Sequence, residues 1–140
     1  MKGSLPNYLV DAGPIAALFA RRDQWHEWAV STFATISEPL WTSELVIVEV
    51  AWLLGGNSQA TRELLKFVRN RELRVAPCVE AYPARFVELM SKYDRMDVCD
   101  ASLVVLSEIY PAARIITVDR RDFPVYRRFG REPLPLIMPV

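Results

Sequence analysis

Two apolar strands near opposite ends of the chain run straight into an aspartate. Tyr8-Leu9-Val10 is followed by Asp11, and Arg114-Ile115-Ile116-Thr117-Val118 by Asp119. Between them, short apolar runs alternate with stretches of helical periodicity, which predicts an α/β fold with a mostly parallel central sheet. A length of 140 residues suits one domain with a real core. In open parallel sheets ligands bind beyond the carboxyl ends of the strands, where the strand order reverses. Two acids at two such ends can therefore face one crevice.

The strand over residues 7–10 gives way to a helix just after Gly13-Pro14, where proline suits a first turn that needs no N–H. A second helix is expected from Gln24 to about Thr35, with Trp25, Trp28 and Ala29 on one face. Leu40-Trp41-Thr42-Ser43 leads into a third, with Thr42 or Ser43 as N-cap, and Gly55-Gly56-Asn57 stops it. Further helices are expected over 58–70, 79–93 and 97–110, with a short strand at 73–76. The terminal segment from Leu134 is at best an edge strand, because its prolines cannot donate to a ladder. Trp25, Trp28, Trp41 and Trp52 are read as core.

Three more acids lie in apolar surroundings. Glu49 interrupts the run from Leu45 to Leu54, and Asp97 and Asp100, spaced i, i+3 on one helical face, open the apolar segment 97–110. A buried ionised carboxylate costs several kcal/mol unless a cation, a metal or several donors accompany it. Nearby basic residues are too few to pair all five acids, whereas a shared divalent metal explains them together. Most also have structural explanations. Asp11 can cap a helix, Asp97 can be an N-cap with Asp100 in its first turn, and Asp119 can start the turn Asp119-Arg120-Arg121-Asp122. Glu49 is hardest to dismiss in this way, and Glu44 is a favourable first-turn charge. The coincidence of several such positions points to function.

Other chemistries find less support. Hard oxygen ligands select Mg²⁺ or Mn²⁺ over zinc. The one histidine, His26, reads as a helix-surface residue, and without a nucleophile elbow a Ser or Cys triad has no basis. No Walker loop or dinucleotide fingerprint is present. Formal net charge is zero, so bulk charge draws the protein to neither nucleic acid nor membrane. Most of the 17 cations are arginine, which suits phosphate contacts. Cys78 and Cys99 have no metal spacing, and Cys99 is expected to pack as a small apolar residue among the acids. The start of the chain has no secretory h-region, and no apolar stretch approaches the roughly 18 residues needed to span a bilayer. A soluble protein of the reducing cytoplasm is expected.

The order and context of the acids resemble those of the PIN domain, the fold of the ribonuclease toxins of many bacterial and archaeal toxin–antitoxin pairs. Leu9-Val10-Asp11-Ala12-Gly13-Pro14 resembles its opening strand and first acid, and Ser43 to Val50 the helix carrying its second, Glu49. Tyr93 to Ala101 resembles the third motif, with Asp100 the better match than Asp97. Thr117-Val118-Asp119-Arg120-Arg121-Asp122-Phe123 resembles the fourth, with Asp119 as the acid and Asp122 as an auxiliary. Gly13 departs from the pattern, since many members carry Ser or Thr in that turn.

The resemblance implies a three-layer α/β/α fold and Mg²⁺- or Mn²⁺-dependent hydrolysis of RNA phosphodiesters. It implies metal coordination by Asp11, Asp100 and Asp119, with Glu49 coordinating through water or orienting the attacking water and Asp97 in support. It also implies an antitoxin partner and a homodimer. Arg21, Arg22, Arg120 and Arg121 are candidates for RNA phosphate contacts. The same acids would serve two alternatives, a non-catalytic nucleic-acid-binding module or a small metal-dependent phosphatase.

Overall fold

The computed structural model describes residues 5–140. The reading of the amino terminus falls partly on residues 1–4, outside the described residues. The chain forms, in order, β1 (Tyr8–Val10), α1 (Ala12–Phe19), α2 (His26–Ala34), β2 (Leu40–Thr42), α3 (Glu44–Leu53), α4 (Gln59–Arg69) and β3 (Leu73–Val75). It continues through α5 (Pro83–Lys92), α6 (Val98–Ile109), β4 (Arg114–Ile116), β5 (Arg127–Arg128), β6 (Glu132–Pro133) and β7 (Leu136–Ile137).

Five strands make one sheet in the order β3-β2-β1-β4-β7, with every pairing parallel, and β5 and β6 form a separate antiparallel ribbon. From β1 the chain steps outward to β2 and β3, then crosses back to place β4 on the other side of β1. Right-handed crossovers therefore put the helices before β3 and those after it on opposite faces of the sheet. The helix contacts agree. α1 packs on α2, α3 and α4, while α5 packs on α6, which covers β1 and β4; α3 also meets α6, through Ser43 and Ser102. This is the three-layer α/β/α arrangement.

Leu9 and Val10 in β1, and Ile115 and Ile116 in β4, are completely buried although successive residues point to opposite faces. Both faces of the sheet are thus covered, as a parallel sheet requires. Every residue of α6 from Ala101 to Ser107 is buried, so this helix is central. β7 lies at the edge beside β4, as the prolines dictate.

The sequence under-reads the middle of the chain. Leu40–Thr42 is a strand rather than a lead-in, paired with β1 and β3. The helix expected from residue 79 begins at Pro83, after a turn at Cys78–Tyr82. The β5–β6 ribbon has no counterpart in the reading. It is pinned by Arg128, whose guanidinium donates to Ser107 O (3.1 Å), Ser107 Oγ (2.9 Å), Pro111 O (3.0 Å) and Glu132 Oε1 (2.7 Å).

Trp52 corrects an expectation. Trp28 and Trp41 pack against the core and Trp25 is half-buried, but Trp52 is 78% exposed. It sits two residues beyond the buried Val50, just over half a turn around α3, and so faces away from the sheet.

Candidate metal centre at the carboxyl edge of the sheet

The point where the strand order reverses lies between β1 and β4, and there the chain delivers its acids. Asp11 is the N-cap of α1: its Oδ1 accepts from Ala12 N and its Oδ2 from Thr117 Oγ1, both at 2.8 Å. Asp11 N in turn donates to Ile116 O at 2.9 Å. The carboxylate is 8% exposed, and burial is the main cause that pushes its pKa up to about 6, with Glu49 and Asp119 adding repulsion.

Thr117 joins two acids. While its hydroxyl donates to Asp11, its Oγ1 accepts from Asp119 N at 3.0 Å. Asp119 Oδ1 accepts from Arg121 N (3.0 Å) and Asp122 N (2.9 Å), so the turn anticipated for Asp119 forms. A hydroxyl expected from the α1 turn is thus supplied by the segment after β4. Gly13 shows why: a Cβ there would lie 2.5 Å from Val118 Cγ2.

The remaining acids come from α3 and α6. Ser43 caps α3 through Val46 N (3.2 Å), and its Oγ meets Ser102 Oγ at 2.8 Å, tying the start of α3 to the central helix. Glu49 follows, half-buried. Asp97 caps α6 by accepting from Asp100 N at 2.8 Å, as its position suggested. Asp100 accepts from Tyr126 Oη at 2.7 Å. Its pKa is pushed up to about 8, chiefly by burial, with Asp97, Asp11 and Asp119 adding repulsion.

The five acids are therefore neighbours. Asp11 feels Glu49 and Asp119, Asp100 feels Asp97, Asp11 and Asp119, and Glu49 and Asp97 have ligand atoms within 4.8 Å of each other and of Cys99 Sγ. None of the five forms an ion pair among the described residues. The cap and turn bonds of Asp97 and Asp119 use one oxygen of each carboxylate, and both oxygens of Asp11 accept one bond while each keeps a further lone pair. The structural and functional explanations of these acids are thus compatible rather than competing.

Nearby residues divide clearly. Cys99 donates to Leu45 O at 3.3 Å, and burial together with Glu49 pushes its thiol up to about 12, so it is protonated in the metal-free protein. Asp122 is engaged by Arg95, with Nε to Oδ1 at 2.8 Å, and its pKa is lowered by that partner. It buttresses the Asp119 turn. His26 Nδ1 bonds Ala17 O at 2.7 Å and holds α2 to α1. Arg120 lies over the Trp25 ring at 5.0 Å. Thr117, Tyr126 and Arg95 escaped the sequence reading. Thr117 had a signal, a polar residue in an otherwise apolar strand two positions before Asp119. Tyr126 and Arg95 had none.

A carboxylate cluster with Asp11 buried at its base and no ion pair to any member among the described residues, built from hard oxygen donors, fits a divalent metal of the Mg²⁺ or Mn²⁺ type. Comparison with known proteins points the same way. The family model described as PIN domain matches residues 8–128. Ribonuclease VapC26 of Mycobacterium tuberculosis is 25% identical over 126 residues, spanning 87% of this chain and 93% of that protein.

Proposed function

Because the chain belongs to the PIN domain family, we propose that it is a metal-dependent endoribonuclease, the toxin of a toxin–antitoxin pair acting in the cytoplasm. The relative named as a ribonuclease supports this reading. The observation that carries it is the convergence of Asp11, Glu49, Asp97, Asp100 and Asp119, none of them in an ion pair among the described residues.

In this reading Asp11, Asp100 and Asp119 hold Mg²⁺ or Mn²⁺, which when bound lowers the pKa of water and steadies charge on the scissile phosphate. Thr117 keeps Asp11 in place, and Tyr126 does the same for Asp100. Glu49 orients the attacking water and takes up its proton at the carboxylate, with Asp97 in support. Arg120 and Arg121, the central residues of the Asp119 turn, contact RNA phosphates.

The exposed apolar residues Val48 (69%), Trp52 (78%) and Leu53 (49%) on α3 support a homodimer, since a symmetric pairing buries the same patch on both copies. The antitoxin is the further partner that a toxin of this kind requires. No helix among the described residues is long and apolar enough to cross a membrane.

The test is cleavage of RNA in Mn²⁺, Mg²⁺ or EDTA, run beside folded Asp11→Asn. Metal-dependent cleavage that the substitution lowers by at least about 10²-fold supports the assignment. RNA binding without cleavage or metal affinity would leave a binding module instead, and turnover of small phosphate esters but not RNA would leave a phosphatase.

A further inference from the structure

Beside the acid cluster lies a cavity of about 440 Å³ whose chemistry the metal centre does not use. Its walls include Lys92 and Tyr93 at the end of α5, Arg95, Arg121, Val125 and Tyr126. One wall is shared with the acids, because the hydroxyl of Tyr126 donates to Asp100. A second connection runs through the backbone. The turn that engages Asp119 Oδ1 carries Arg121 as the donor of one of its two hydrogen bonds.

The lining has two parts. Tyr93 and Tyr126 pack edge to face at 5.1 Å, and Val125 is 59% exposed beside them, which gives an apolar, aromatic floor. Around it stand three cations and two carboxylates, Asp94 and Asp122. Arg95 is committed to Asp122, but Lys92 and Arg121 form no ion pair among the described residues. Lys92 Nζ lies over the Tyr93 ring at 5.3 Å. A small inorganic anion would have no use for the aromatic floor, and an apolar ligand none for the cations. A nucleotide uses both, its base or ribose on the floor and its phosphates at the rim.

We propose that this cavity seats a nucleotide of single-stranded RNA next to the scissile phosphate, with Lys92 and Arg121 contacting its backbone and Tyr93 and Val125 its base or sugar. The proposal rests on the ribonuclease reading and deepens it.

The experiment uses a fluorescein-labelled single-stranded RNA, followed by anisotropy in EDTA across a salt titration and by cleavage kinetics in Mn²⁺. The double variant Lys92→Gln/Arg121→Gln removes the two cations, Val125→Asp puts a carboxylate on the floor, and Arg69→Gln on α4 is the control. Expected for the double variant is a salt slope shallower by roughly 1.4, since each lost contact to a single strand removes about 0.7. The Kd rises about tenfold, with a raised KM and unchanged kcat. Val125→Asp weakens binding likewise, and Arg69→Gln changes nothing. A wild type that cuts RNA while the double variant keeps its slope and affinity overturns the subsite and leaves the nuclease standing. A shallower slope with full affinity in Val125→Asp overturns the seat, reducing the two cations to steering charges. A wild type that neither binds nor cuts RNA removes both readings.

Discussion

Tyr126 donates its hydroxyl hydrogen to Oδ2 of Asp100 at 2.7 Å, and the ring that carries it is buried against Tyr93 and Phe123. Burial and the neighbouring Asp100 raise the phenol's pKa, so it stays a donor at every pH of interest. One oxygen of Asp100 is thereby fixed by a rigid aromatic, leaving the other for a metal. Groups that orient a ligand in this way typically govern 10–100-fold in metal affinity. Tyr126→Phe keeps the ring and removes the bond. The expected result is Mn²⁺ affinity lower by about 10–100-fold by titration calorimetry, with an almost unchanged melting temperature. Unaltered affinity would show that Asp100 needs no such support.

The raised pKa values of Asp11, about 6, and Asp100, about 8, set the pH dependence of the metal-free protein. Both acids are harder to ionise folded than unfolded. The stability they contribute is complete below their ordinary value of 3.8 and is lost as pH rises through 6 and then 8. A metal binds the ionised forms and reverses the trend. Thermal melts should show Mn²⁺ stabilisation growing across this window and vanishing in EDTA. Asp100→Asn should make the metal-free protein more stable than wild type above pH 8 and flatten the upper part of the rise. Stabilisation independent of pH would mean that the metal binds elsewhere.

Much of the fold was legible because apolar period and strand-end acids are local signals. β1, β4 and the caps by Ser43 and Asp97 follow from adjacent residues. Other features depend on contacts far apart in the chain. β2 is a strand because Thr42 Oγ1 donates to Val10 O (2.7 Å) and its backbone pairs with β1 and β3. Tyr126 reaches Asp100 across 26 residues, and Arg95 reaches Asp122 across 27. Trp52 misled because a helix apolar all round gives no indication of which side meets the sheet. The acids could be named from sequence, but their supports could not.

Gly13 and Val118 should be energetically coupled. A Cβ at position 13 would meet Val118 Cγ2 at 2.5 Å, and the β-branched Val118 has little rotamer freedom with which to yield. Gly13→Ala is expected to cost about 1–3 kcal/mol, the usual penalty for overpacking. Val118→Ala removes the clashing methyl, so the double variant should recover most of that loss. Denaturant melts of the four proteins measure the interaction directly. Additive losses would place the strain of Gly13→Ala elsewhere in the α1 turn.

Trp52 offers the clearest test of self-association. Its side chain is 78% exposed and lies on the side of α3 away from the buried Val46 and Val50. Replacing it therefore removes little from the fold of one copy, and surface changes of this kind usually stay within about 0.5 kcal/mol. If the α3 face pairs two copies, Trp52→Glu sets two carboxylates against each other in an apolar contact. Buried aromatic anchors at such contacts often account for 2 kcal/mol or more of binding. The expected outcome is conversion of a dimer to a monomer by light scattering, with the helical circular dichroism spectrum retained. A variant that stays dimeric would assign the interface to another surface, and a monomeric wild type would discard the homodimer.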